Sequence, residues 1–193
     1  LGNVSIIAAG DFQSTAAFSA GGNAGITSGK SVVAHTIAAG NDASVTALSG
    51  NLTIDGITAG NNVSLAGTDG DTLVTSSDAG NDLSVSVTNG YISLTDANAG
   101  NDIQITTTAG NITLARGTAT GGNAVVKTSA GTITISDKLK AGLTTLVEAT
   151  AAIIANTIES GGTATVRNQN GDIDLESITT MNAGSDIEVR NTG

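Results

Sequence analysis

The chain contains no cysteine, no proline and no tryptophan, and its 193 residues include only two Phe and one Tyr. Without cysteine there is no thiol to act as a nucleophile, although that absence does not by itself fix a compartment. Without proline every backbone N–H is available for pairing, as extended strands require. Positive charge is also sparse: seven Lys and Arg stand against seventeen Asp and Glu, for a net charge of −10. Binding to nucleic acid needs clustered cations and stacking aromatics, so this composition argues against a nucleic-acid partner. No apolar run in the sequence is long enough to span a bilayer.

What the chain does have is glycine at a fixed interval. Gly40, Gly50, Gly60, Gly70, Gly80, Gly90, Gly100 and Gly110 fall ten residues apart. Their contexts alternate. Gly40, Gly60, Gly80 and Gly100 precede Asn41-Asp42, Asn61-Asn62, Asn81-Asp82 and Asn101-Asp102, whereas Gly50, Gly70, Gly90 and Gly110 precede Asn51, Asp71, Tyr91 and Asn111. The repeat is therefore about 20 residues long with two marked turns, and such a period signals a solenoid. Steps of 19 from Gly2 to Gly21 to Gly40, and of 21 from Gly100 to Gly121 to Gly142, extend the phase, and Gly161 and Gly184 carry it on. Nine to ten copies fill the chain, which reads as one continuous domain over residues 1–193.

Each turn is followed by strict alternation, as in Val63-Ser64-Leu65, Leu83-Ser84-Val85-Ser86-Val87, Ile92-Ser93-Leu94 and Ile112-Thr113-Leu114. Period two with β-branched residues predicts half-buried strands. A third short extended piece, such as Ile57-Thr58-Ala59, precedes the next turn. Helix is disfavoured, because a glycine every ten residues would cost about 1 kcal/mol each relative to Ala. Such short strands cannot bury an apolar side alone. Coiling once per repeat places each strand about 4.8 Å from its copy, where the two pair in parallel. The result is an all-β parallel β-helix (β-solenoid) with coils of about 20 residues and an aliphatic core too narrow for aromatics.

Gly, Asn and Asp suit the corners, since they reach positive φ at low cost. Asn41, Asn61, Asn81 and Asn101 are expected to stack as a ladder of side-chain amides that satisfies the corner polar groups. Charges agree with the phase. Asp96, Arg116 and Asp137 fall at steps of 20 and 21, and Lys127, Glu148 and Arg167 at steps of 21 and 19. Both are stacks of alternating sign, which neighbouring strands favour.

The phrases Ala39-Gly40-Asn41-Asp42-Ala43-Ser44-Val45 and Gly110-Asn111-Ile112-Thr113-Leu114 resemble the repeats of the filamentous haemagglutinin family, large bacterial exoproteins and adhesins. The resemblance covers essentially the whole chain. It implies a right-handed helix and a secreted or cell-surface location. It carries over no site residue, because such repeats mainly build a stalk. Leu1 is not a natural start and both ends fall in mid-repeat, so the chain is expected to be a segment of a longer repeat protein.

Candidate chemistry is thin. Asp42, Asp82 and Asp102, with Asn62 between, would line one corner and could form a calcium ladder, since hard cations take several oxygens. No calcium-loop spacing recurs, so the reading adopted is turn chemistry with solvated carboxylates, and no cofactor or metal is expected. His35, the single histidine, is read as an exposed bystander for want of a nucleophile and an orienting partner. Asp172, Asp174 and Glu176 alternate along one strand; paired acids could hydrolyse a glycoside, but an acidic solvated face is preferred. Thr53, Ser93, Thr113 and Thr134 recur outward as in ice-binding solenoids, yet Leu73 and Asp174 break the array. No catalytic residue is assigned.

The sequence thus points to a stiff structural rod of a secreted or surface-anchored bacterial protein and to no enzyme. Its expected partners are other solenoid coils, end to end or side by side, and an unspecified ligand on a host or cell surface. A polysaccharide-binding or polysaccharide-degrading β-helix and an ice- or mineral-binding surface are the alternatives.

Overall fold

The computed structural model describes residues 2–182 and 185–192; Gly184, which carries the sequence phase toward the end, lies outside them. Two parallel sheets stack as a β-solenoid. The first coil holds β1 (Val4–Ala8) and β2 (Phe12–Ala20), the second β3 (Ala24–Ser28) and β4 (Val32–Ala39), the third β5 (Ala43–Ala47) and β6 (Leu52–Ala59). The fourth holds β7 (Val63–Asp69) and β8 (Thr72–Ala79), the fifth β9 (Leu83–Asn89) and β10 (Ile92–Ala99), the sixth β11 (Ile103–Ala109) and β12 (Ile112–Ala119). The seventh holds β13 (Ala124–Thr128) and β14 (Ile133–Ala141), the eighth β15 (Thr145–Ala149) and β16 (Ile153–Ser160), the ninth β17 (Ala164–Asn168) and β18 (Ile173–Thr180). Strand β19 (Ile187–Asn191) opens a tenth. Odd-numbered strands form a ten-stranded sheet and even-numbered strands a nine-stranded one, each in sequence order. Nine strand spacings make the stack about 43 Å long.

Every strand pairs with its copy one coil away, so each inward position becomes a column. Ile26, Val45, Leu65, Val85, Ile105, Val126, Val147 and Val166 are successive register partners in the odd sheet. All are almost completely buried, within one apolar cluster running from Ala20 to Val166.

In the even sheet the strands bend without breaking. Inward residues of β6 are Leu52, Ile54, Ile57 and Ala59, a spacing of two, three and two, so Asp55 and Gly56 both lie off the buried face. The short piece Ile57-Thr58-Ala59 is therefore the second half of one strand and not a strand of its own.

The coil lengths explain most of the phase slips. Val4 pairs with Ala24 and Ala24 with Ala43, so the first step is 20 residues and only the second is 19. Gly2 consequently stacks under Gly22, whose N–H it accepts at 3.2 Å, and not under Gly21. The steps of 21 are borne out by Ile103 on Ala124 and Ala124 on Thr145.

At the corner before the even sheet, glycine is needed for two reasons. Gly110 has φ +142°, in the left-handed half of conformational space, and a Cβ there would run into the carbonyl of Gly90 one coil below. At the other corner Gly80 has no unusual φ, but a Cβ would meet the carbonyl of Gly60. Conformation and close axial approach thus fix the decapeptide rhythm together.

Among the described residues, two of the three buried hydroxyls without a partner lie in the fourth coil, the third being that of Thr145 in the eighth. Thr72 interrupts the column of Val32, Leu52, Ile92 and Ile112, and Ser77 follows Ile37 and Ile57. Both are buried, and neither hydroxyl has a hydrogen-bond partner. An orphaned buried hydroxyl is unfavourable. Thr72→Val keeps the shape and removes the hydroxyl, so it should raise the urea-unfolding free energy by about 1 kcal/mol; a drop in stability would show that the hydroxyl is satisfied.

Candidate functional site

The polar side chains that sequence reasoning singled out are concentrated at the corner before the odd sheet, and there they form a ladder of oxygen acceptors. The backbone N–H of Asn62 donates to Oδ1 of Asp42 at 3.2 Å, that of Asp82 to Oδ1 of Asn62 at 3.2 Å, and that of Asp102 to Oδ1 of Asp82 at 3.1 Å. Below, Asn23 accepts from Asp42, and Asn3 from Asn23; above, Asp102 accepts from Asn123, and Asn123 from Thr144. Each coil thus caps the amide of the equivalent residue in the next coil.

This ladder lies one residue beyond the expected one. Asn41, Asn61, Asn81 and Asn101 do stack, but through their backbones: Asn61 N donates to Asn41 O at 2.9 Å, and the next two bonds are 2.8 Å. Their side-chain amides reach diagonally onto the ladder, Asn61 Nδ2 to Asp42 Oδ1 at 2.9 Å and Asn101 Nδ2 to Asp82 Oδ1 at 2.9 Å. What the ladder requires is an oxygen three bonds from Cα, which the Oδ1 of Asp and of Asn supplies equally. That is why they interchange there, and why Asp42, Asp82 and Asp102 are alternated or flanked by amides.

A second, shorter ladder occupies the other corner. Ser31 N donates to Asp11 Oδ1, Asp71 N to Asn51 Oδ1, Tyr91 N to Asp71 Oδ1, and Thr132 N to Asn111 Oδ1, at 2.9–3.0 Å. The sequence reading missed it, although Asp11, Asn51, Asp71 and Asn111 recur in phase; Ser31 and Tyr91 obscure the pattern.

Asp42, Asp82 and Asp102 therefore sit on one column with one Oδ1 each committed to backbone amides. Among the described residues no group of three or more His, Cys, Asp or Glu is placed to hold a metal ion.

His35 is exposed but it has a partner. Its Nδ1 lies 2.7 Å from Oδ2 of Asp55 in the next coil, on the outward bend of the even sheet. The bystander reading is corrected to that extent: a carboxylate orients the ring. The sequence signal was the 20-residue step between them. Ser14 and Thr15 lie in the same shallow notch, but the Ser14 hydroxyl donates to the carbonyl of Ala16 at 3.0 Å.

The charge columns form with one change of register. Asp96 pairs with Arg116 across neighbouring strands, and the ion pair closes at 3.2 Å. A bulge in β14 puts Lys138, not Asp137, beside Arg116 in the backbone register. Asp137 still reaches Arg116, accepting from Nη2 at 2.9 Å and from Nε at 3.0 Å. The hydrogen bond to Asp137, then its charge and that of Asp96, raise the Arg116 guanidinium above its ordinary value. Lys138 pairs instead with Glu159 at 2.8 Å. On the odd sheet Lys127 pairs with Glu148 at 2.8 Å, whereas Arg167, in register with Glu148, turns to Glu188 at 3.3 Å.

Asp174 and Glu176 are exposed on one face of β18, while Asp172 precedes the strand and its carbonyl accepts from Ile153 N and Asn168 Nδ2. The outward column of the even sheet reads Val33, Thr53, Leu73, Ser93, Thr113, Thr134, Ile154 and Asp174. Apolar residues interrupt its hydroxyls at Val33, Leu73 and Ile154, more often than Leu73 and Asp174 alone.

Comparison with known families places the chain. The family described as Toastrack DUF4097 matches residues 2–176, and the chain belongs to it. No curated protein and no solved structure matches the chain. The family and the parallel stack agree on a β-solenoid repeat protein.

The ladder makes a sharp distinction between two substitutions. Asp82→Asn keeps Oδ1 and should leave the urea midpoint nearly unchanged. Asp82→Ala strands the Asp102 N–H and the Asn101 amide and should lose about 1–3 kcal/mol. A chelator should not alter the melting of either. Equal loss in both variants, or melting that falls on chelation, would mean that the carboxylate charge or a bound cation is what matters.

Proposed function

We propose that this Toastrack-family chain is a structural rod segment of a secreted or cell-surface bacterial protein, acting as a stalk or filament of an adhesin and not as an enzyme. Its partners are other solenoid coils, end to end or side by side, and a ligand on a host or cell surface. The observation that carries this reading is the uniformity of the stack. From Ala24 to Thr180 every coil repeats two strands and two tight corners, and no corner carries an inserted loop. Catalytic and binding sites on solenoids are usually built from such insertions on one face. A chain that spends its sequence on repeating one coil builds length and stiffness, with stability close to a sum of nearest-neighbour terms. The filamentous haemagglutinin-like phrases and the absence of cysteine support the exported location.

The test is access. An antibody against the folded segment should label intact cells of the source bacterium, or the filaments they shed, without permeabilisation. Labelling only after permeabilisation would overturn the surface role.

A further inference from the structure

The rod is not uniform in charge. Of the seven Lys and Arg, only Lys30 precedes Arg116. Three of the other six, Lys127, Arg167 and Arg190, stand on one outward column of the odd sheet with Glu148 between the first two. Beside this column runs a row of corner residues, Ser129, Thr150, Gln169 and Thr192. Between the two lies a shallow trough formed by two adjoining depressions that share Glu148 and Gln169. It follows the rod axis from the seventh coil to the start of the tenth, about 14 Å at the coil spacing.

We propose that this trough binds an extended acidic polysaccharide, a chain of uronate sugars lying along the rod. Three features carry the inference. First, the cations keep donors to spare. Arg167 engages Glu188 through Nη2 and Arg190 engages it through Nε, at 3.3 and 3.2 Å. Arg190 therefore retains both terminal nitrogens, a fork that fits a carboxylate. Second, three cations face two carboxylates, Glu148 and Glu188, so the trough is locally positive on a chain of net charge −10. Third, the opposite wall is hydroxyl and amide. Thr150 Oγ1 donates to Ser129 O at 2.6 Å and keeps its lone pairs, and the side chain of Gln169 makes no hydrogen bond among the described residues. The trough thus offers cationic donors on one wall and hydroxyl and amide groups on the other, which suits a polymer bearing both carboxylates and hydroxyls. A nucleic-acid strand fits it less well. None of the two Phe and one Tyr lies in these coils to stack a base, and acceptors such as Glu148 would face phosphates.

The binding rests on the trough alone and is independent of the rod reading. It is tested by calorimetry at low ionic strength, where exposed charges are least screened. The probes are a galacturonate hexamer, a neutral glucose hexamer and a thymidine hexanucleotide. The galacturonate hexamer should bind saturably and in preference to both others. Arg167→Ala should weaken it by about tenfold, the scale of one charge-assisted pair. Arg167→Lys, which keeps charge and loses the fork, should fall between. Glu148→Gln should tighten binding, an opposite sign that general destabilisation cannot produce. Thermal melts of each variant establish that it is folded. Absence of binding, equal binding of the neutral hexamer, tighter binding of the hexanucleotide, or indifference to both the Arg167 and Glu148 substitutions would overturn the proposal.

Discussion

The structure depends on one constraint: every residue must tolerate its own counterpart one strand spacing above and below. In a parallel stack this distance is about 4.8 Å, set by backbone hydrogen bonds, and the side chains have to accept it. Aliphatic columns do so readily. So do alternating charges, as in Asp96, Arg116 and Asp137. A proline would break the column of donors, and a ring at each coil would overfill the narrow core. The two Phe, Phe12 and Phe18, occur in the first coil and are only partly buried. Composition follows from geometry here.

The same constraint decides what the polar residues are for. A buried or crowded corner amide needs an acceptor, and the nearest available oxygen belongs to the coil below. Asp42, Asn62, Asp82 and Asp102 supply it in turn. Much of the acidic character of the chain is thereby structural, which is why a recurrent Asp in this protein is weak evidence for a metal or a catalytic acid. Departures from recurrence are more informative. Lys127, Arg167 and Arg190 break the acidic monotony in one place, and that is where the proposed acidic polysaccharide would lie.

Much of this was legible in the sequence. The alternation of Gly-Asn-Asp corners with Gly-x corners gives the period, and Leu83, Val85 and Val87 or Ile92 and Leu94 give the inward face, because strand periodicity and burial are local properties. The charge columns were legible from spacing. What escaped depends on geometry that spacing does not encode. Oδ1 of Asp82 accepts the amide of Asp102 in the next coil, so the side-chain ladder belongs to residues 42, 62, 82 and 102 and not to the preceding asparagines. The bulge in β14 shifts Lys138 into the place assigned to Asp137. The bend that sets Asp55 and Gly56 outward leaves no sequence mark except a lapse in alternation, and it is this bend that brings His35 to Asp55. The trough is assembled from the edges of four coils and has no local signature at all.

If axial pairing is what holds the rod together, local stability should depend chiefly on distance from the ends, with defects such as the orphaned hydroxyls of Thr72 and Ser77 lowering it by less than the loss of a neighbouring coil does. Native-state hydrogen exchange of the 193-residue chain, followed by mass spectrometry, reads this directly. The slowest exchange is expected in the strands of the fourth to seventh coils, β7 to β14, with protection declining toward β1, β2, β18 and β19. An interior block such as β9 to β12 exchanging ahead of the terminal strands would contradict it.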